Sequence, residues 1–180
     1  MTPLLEREIY LFDLDNTLYD PKNQLIEQIV NRMTHSVAAH LQLAYEQAYQ
    51  LCEEYYQQYG GTLRGLQLHH PQIDLEQVCY EAHDVDLSGV IPCPALSNAL
   101  ANTLKTRYVF TNSPRQYAER VLQHLGLSDY VDGIFSVELT DYKMKPDPHA
   151  YRSICQHFGF EASQAVLFDD QLANVATGQE

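Results

Sequence analysis

EIYLFDLDNTLYD, residues 8–20, is the stretch on which the fold turns. Its first half, residues 8–13, is a short apolar run that stops on acidic residues, the pattern of a buried strand. Asp13, Asp15 and Thr17 then stand where the strand ends. In α/β proteins ligands bind at the carboxyl ends of strands, so these side chains are candidates for chemistry.

Downstream, Ile26, Ile29, Val30, Met33, Val37 and Leu41 recur at three- and four-residue spacing, which places them on one face of a helix. A second helix is expected from about Ala44 to Tyr59, ended by Gly60 and Gly61, and a third over residues 74–83, opened by an aspartate cap. Residues from about 20 to 90 are therefore helical. After Pro92 and Pro94 the pattern alternates. A helix over residues 95–104 leads to a strand over 107–111, and Ser113 and Pro114 open a helix that ends at Gly126. A strand over 133–137, a helix from Asp147 and Pro148 to Gly159, and a strand over 165–168 complete the series. Alternating strands and helices predict an α/β fold with a parallel sheet. Domain joints fall near Asp20 and Ile91, giving a core of residues 1–19 and 91–180 around a helical insertion of residues 20–90.

The 180-residue chain carries 11 Lys+Arg against 24 Asp+Glu, a net charge of −13. That balance argues against a nucleic-acid polymer or an anionic membrane surface as partner, since both are gripped by neutralising phosphates. No apolar stretch approaches a membrane span. Four spread cysteines without a C-x-x-C pair, and no basic start followed by an apolar run, fit a reduced cytoplasmic setting. The expected state is a monomer or a homodimer.

Polar residues collect at three strand ends: Asp13, Asp15 and Thr17 after the first, Thr111 and Asn112 after the second, and Asp169, Asp170 and Asn174 after the last. Lys143 and Lys145 lie in a fourth loop. Carboxylates gathered at one point repel unless a cation lies among them. Hard oxygen ligands with no His/Cys set nearby favour Mg²⁺.

The same residues resemble the four motifs of the haloacid dehalogenase superfamily of phosphohydrolases: FDLDNTLYD, YVFTNSP, KMKPDP and FDDQLAN, in order. Within it, the helical insert and residues 59–67 (YGGTLRGLQ) look like the pyrimidine 5′-nucleotidase branch. The resemblance implies a Rossmann-like core with an all-helical cap, short of one strand and one helix at its C-terminal end. It implies a magnesium-dependent phosphomonoesterase whose substrate is a small phosphate ester, a nucleoside monophosphate by the branch.

In this scheme Asp13 is the nucleophile that forms an aspartyl-phosphate, and Asp15 is the general acid and then base. Dehalogenases and the related ATPases lack an acid at the second position, so Asp15 favours phosphoester hydrolysis. Thr111, Asn112 and Lys145 would hold the phosphoryl group, with Lys143 the competing lysine. Asp13, the Asp15 carbonyl and Asp170 would bind the metal, with Asp169 direct or through water and Asn174 orienting the shell. Thr17 either supports that shell or stabilises a turn, and Asn112 alternatively caps the helix after Pro114. Arg64 and Tyr59 are candidates for substrate specificity, and Tyr55, Tyr56 and Tyr59 for the aromatic slot that a nucleotide base needs. Two readings compete: a sugar-phosphate or phosphoglycolate-type phosphatase, and a catalytically silent relative acting as a binding protein.

Overall fold

The computed structural model describes residues 6–179. Four parallel strands, β1 (Ile9–Phe12), β2 (Thr106–Phe110), β3 (Gly133–Phe135) and β4 (Ala165–Phe168), form one sheet in the order β3-β2-β1-β4. The chain returns between strands through helices, as parallel pairing requires. Helices α1 (Leu25–Leu41), α2 (Tyr45–Tyr59), α3 (Thr62–His69), α4 (Leu75–His83) and α5 (Pro94–Ala101) lie between β1 and β2 in the chain. Further on come α6 (Arg115–Leu125), α7 (Pro148–Phe158) and α8 (Leu172–Gly178).

Strand side chains alternate between the two faces of the sheet, and the core follows that period. Val109 and Ile134 pack with Tyr117, Val121 and Leu122 of α6. Their neighbours Phe110 and Phe135 pack on the opposite face with Ala150 and Ile154 of α7. A third cluster joins α1 to α4 through Met33, Val37, Cys52, Leu66 and Val78. Leu25 and Ile29, at the start of α1, belong to the α6 cluster, so this helix ties the helical group to the sheet. Each buried aliphatic or aromatic side chain contributes about 1.5–3 kcal/mol, which is what fixes the helices in place.

Several helix ends match their sequence signals. Asp74 accepts the Gln77 amide at 3.0 Å, Asp147 accepts the His149 amide at 2.8 Å, and Gly60, Gly126 and Gly159 cap helices at φ 76°, 68° and 73°. Ser113 does not cap α6. Pro114 is the cap residue, and Glu138 accepts the Arg115 amide at 3.0 Å instead. Two helices stand outside the expected pattern. The first is α3, where residues 59–67 carry no helical periodicity long enough to read. The second is α8, a helix directly after the acidic motif, where the resemblance implied that one is missing. The strand expected over 133–137 stops at Phe135, and Val137–Thr140 forms a 3-10 turn.

Candidate active site

Strand register brings the polar residues together. Phe12 pairs with Val109 on one side and Phe168 on the other, so the next residue along, Asp13, stands level with Phe110 and Asp169. The ladder continues one step further, with the Asp13 amide donating to Phe168 O at 2.8 Å and the Thr111 amide to Phe135 O at 3.0 Å.

Lys145 occupies the middle of this arrangement. Its Nζ donates to Asp13 Oδ1 at 2.9 Å, Asp169 Oδ2 at 2.7 Å and Phe110 O at 2.7 Å. At 2% exposure this is a buried cation whose three protons are all matched. Lys143, the rival, is partly exposed and outside the cluster. The Lys145 backbone is fixed by Asn112, which accepts its amide at 2.8 Å and donates Nδ2 to its carbonyl at 3.0 Å. Asn112 thus does not cap α6, and its second Nδ2–H stays available at the cleft that it lines. Thr111 is buried, and its hydroxyl accepts the Ser113 amide at 3.0 Å.

Asp169 is equally constrained. Asn174 Nδ2 donates to both carboxylate oxygens, at 2.9 and 3.0 Å, and the Gln171 amide donates to Oδ1 at 2.9 Å. Asp170 is exposed and meets Gln171 Nε2 at 2.8 Å. Asp13, Asp169 and Asp170 each offer an oxygen within 4.8 Å of the others. Hard carboxylate oxygens without His or Cys suit Mg²⁺, so the residues fit the ion that the sequence implies. Because Asp169 already receives four N–H donations, Asp13 and Asp170 are the freer donors.

Burial raises the Asp13 carboxyl to about 7, with Asp169 and Asp15 adding to the rise and Lys145 opposing it. Asp15 sits differently. Its Oδ1 accepts the Tyr19 hydroxyl and the Tyr117 hydroxyl, the latter at 2.8 Å, and its Oδ2 accepts Ser113 Oγ at 2.7 Å. Desolvation and the nearby Asp15 charge push both tyrosines far above the usual phenol range. Thr17 Oγ1 is buried with no hydrogen-bond partner among the described residues, so it bonds no turn.

A cleft of about 470 Å³ opens from Asp13, Asp15, Asn112, Lys145 and Asp170. Arg64 and Tyr59 do not line it. Arg64 reaches Gln67, which continues to Asp141 at 2.8 Å, and the Tyr59 hydroxyl meets His69 at 2.6 Å. Of the three candidate tyrosines Tyr56 lines it, and Met33, Glu53 and Met144 build the wall beside it. That Tyr19, Ser113 and Tyr117 hold Asp15 is not legible in the sequence, where Ser113 reads as a helix start. The available signal was two tyrosines and a serine within one turn or so of the motifs, but their meeting at Asp15 depends on how α6 docks.

The fold and cluster define an α/β enzyme core with an acidic site at its strand ends. The chain belongs to the haloacid dehalogenase-like hydrolase family, whose model matches residues 8–180. It is 28% identical over 185 residues to Phosphate metabolism protein 8 of Saccharomyces cerevisiae, covering 94% of this chain and 57% of that protein. A phosphoglycolate phosphatase of Rhodospirillum rubrum is 35% identical over 85 residues, covering 47% of this chain and 35% of its own. The chain therefore spans little more than half the length of the yeast relative. Among solved structures, the HAD phosphatase from Thermococcus onnurineus superposes with a TM-score of 0.60 at 18% identity, covering 96% of this chain and 81% of that one, a likeness of fold.

Proposed function

We propose that the protein is a magnesium-dependent phosphomonoesterase working through an aspartyl-phosphate, and that its substrates are pyrimidine nucleoside 5′-monophosphates. The observation that carries this reading is the buried Lys145 ammonium held between Asp13 and Asp169, with Asp170 beside them and Asp15 two residues beyond the nucleophile. Asp13 attacks phosphorus through a carboxylate oxygen, the bond from phosphorus to the alcohol oxygen breaks, and Asp15 supplies the proton that the alcohol needs. Water then attacks the aspartyl-phosphate, its proton passes to Asp15, and inorganic phosphate leaves. Lys145 neutralises charge on the phosphoryl oxygens and keeps Asp13 aimed. Asp13, the Asp15 carbonyl and Asp170 would hold Mg²⁺, with Asp169 a further ligand directly or through water, and the ion would supply further charge neutralisation. An acid at position 15 favours phosphoester hydrolysis over dehalogenation.

Residues 20–90 act as the cap in this reading, and a reducing cytoplasmic setting is supported by four free thiols. No helix among the described residues is long and apolar enough to cross a membrane. The likeness to a phosphoglycolate phosphatase favours that substrate class as the competing reading. Phosphate release from UMP and CMP, with and without Mg²⁺, tests the proposal. Metal-dependent turnover that Asp13→Asn abolishes is expected; folded protein with no turnover on a broad phosphate panel overturns it.

A further inference from the structure

The cleft runs from Asp13 along the first two helices. Ile26, Ile29, Val30 and Met33 line it from one face of α1, and Tyr56 of α2 faces the same space. Ile26, Val30 and Tyr56 are 39%, 40% and 60% exposed, so apolar surface stands uncovered beside the most polar cluster of the molecule. An apolar wall with a few fixed polar groups is the make-up of a small-molecule site.

The charges along this wall are one-sided. Among the described residues Lys145 is the only lysine or arginine that lines the cleft, and Asp13 and Asp169 already share it. His83 also lines it, but burial lowers its pKa and its Nδ1 is engaged with the Cys79 carbonyl at 2.7 Å, so it offers no positive charge near neutral pH. Beyond the strand-end aspartates, the charged residue on the wall is Glu53. It lies three residues before Tyr56 on α2, which puts the two on one helix face. Among the described residues its carboxylate enters no ion pair.

We infer that the cleft selects phosphomonoesters whose phosphate is their only anionic group, with Glu53 accepting hydrogen bonds from N–H donors on a ring lying against Ile26, Val30 and Tyr56. This rests on the phosphatase reading above and narrows its substrate class. The phosphate takes the positive charge at Lys145, and a second anionic group finds no further lysine or arginine among the described lining residues and enters the negative field of Glu53 and the strand-end aspartates. A like charge across a contact excludes a ligand more effectively than a missing attraction. Phosphoglycolate, sugar bisphosphates and nucleoside diphosphates are therefore poor substrates. A heterocycle with amino or imide N–H groups satisfies both the apolar wall and the carboxylate.

The test compares kcat/KM for p-nitrophenyl phosphate, CMP and phosphoglycolate in the full chain and in Glu53→Arg and Glu53→Ala. CMP is expected to exceed phosphoglycolate by about 100-fold in the parent, given the like-charge penalty. Glu53→Arg is expected to shift the ratio toward phosphoglycolate at least about tenfold, and Glu53→Ala to raise KM for CMP about tenfold through loss of its hydrogen bonds. Glu53 is exposed, so both variants are expected to fold, which a thermal melt checks. Equal rates on CMP and phosphoglycolate, or a ratio unmoved by Glu53→Arg, overturn the inference while turnover of p-nitrophenyl phosphate leaves the phosphatase reading standing. Folded protein inert toward p-nitrophenyl phosphate and the other two overturns both.

Discussion

Tyr117 donates its hydroxyl to Asp15 Oδ1 at 2.8 Å across 102 residues of chain, from the first turns of α6 to the loop after β1. Tyr19 shares that oxygen, and the two hydroxyls lie 3.2 Å apart. With Ser113 on the other oxygen, the carboxyl group proposed to be the acid has a fixed orientation. Tyr117→Phe removes one of these bonds and little volume. Stability is expected to fall by about 1 kcal/mol. Turnover of alkyl phosphates is expected to fall about tenfold, less than the roughly 10²–10⁴-fold that loss of the acid itself costs. Hydrolysis of p-nitrophenyl phosphate, whose leaving group needs little protonation, is expected to fall less. Steady-state rates on the two substrate types check this.

Lys145 compensates two buried carboxylates at once, with side-chain exposures of 1% for the lysine, 10% for Asp13 and 0% for Asp169. Lys145→Met strands both anions, and removing one partner of a buried pair costs about 3–5 kcal/mol. Urea unfolding at pH 8 is expected to show a loss of that order. Adding Asp169→Asn is expected to restore part of the stability, and activity is expected to remain lost in both variants.

The Asp13 carboxyl, ordinarily near 3.8, is raised to about 7 by burial. Between those values the folded protein keeps a proton that the unfolded chain has released. This group's contribution to stability is therefore full below the lower value and fades as pH rises through the upper one. In the proposed site Mg²⁺ binds the ionised form, so binding the metal releases the proton. The rise in Tm produced by Mg²⁺ is expected to be larger at pH 8 than at pH 6, and Asp13→Asn is expected to remove that difference. Thermal melts with and without the ion at both pH values measure it.

Gly65 lets α3 close on α2. A Cβ at that position would lie 2.2 Å from Cγ of Tyr55, which is itself buried in the helical cluster. Gly65→Ala is expected to cost about 1–3 kcal/mol, as overpacking does elsewhere, with a matching fall in Tm. Gly61→Ala makes a useful contrast. Its nearest neighbours are the flexible end of Met144, at 1.9 and 2.9 Å, so the side chain can swing aside and the loss of stability is expected to be smaller.

The strands and the motif residues were legible because their signals are local: an apolar run, an acidic stop, a proline after a serine. Asp13 and Asp169 meet because parallel register aligns the strand ends, which alternation alone predicts. What sequence could not supply was competition for the same atoms. Asn112 reads as a phosphate ligand from its motif alone, and nothing local shows that its amide also pins the Lys145 backbone, 33 residues away. Arg64 reads as a specificity residue until Gln67 and Asp141 are seen to draw it aside. The helix α3 is eight residues long with glycines before and within it, so its propensity is weak and packing of Leu63 and Leu66 decides it.

The reciprocal bonds between Asn112 and Lys145, together with the lysine's reach to Phe110 O, stitch the lysine loop to the end of β2. That stitching turns the sheet side of the cleft into a fixed anvil. Whatever breathing admits a substrate and lets a product go must then fall to the opposite jaw, where α1 and α2 present Ile26, Val30 and Tyr56 to solvent.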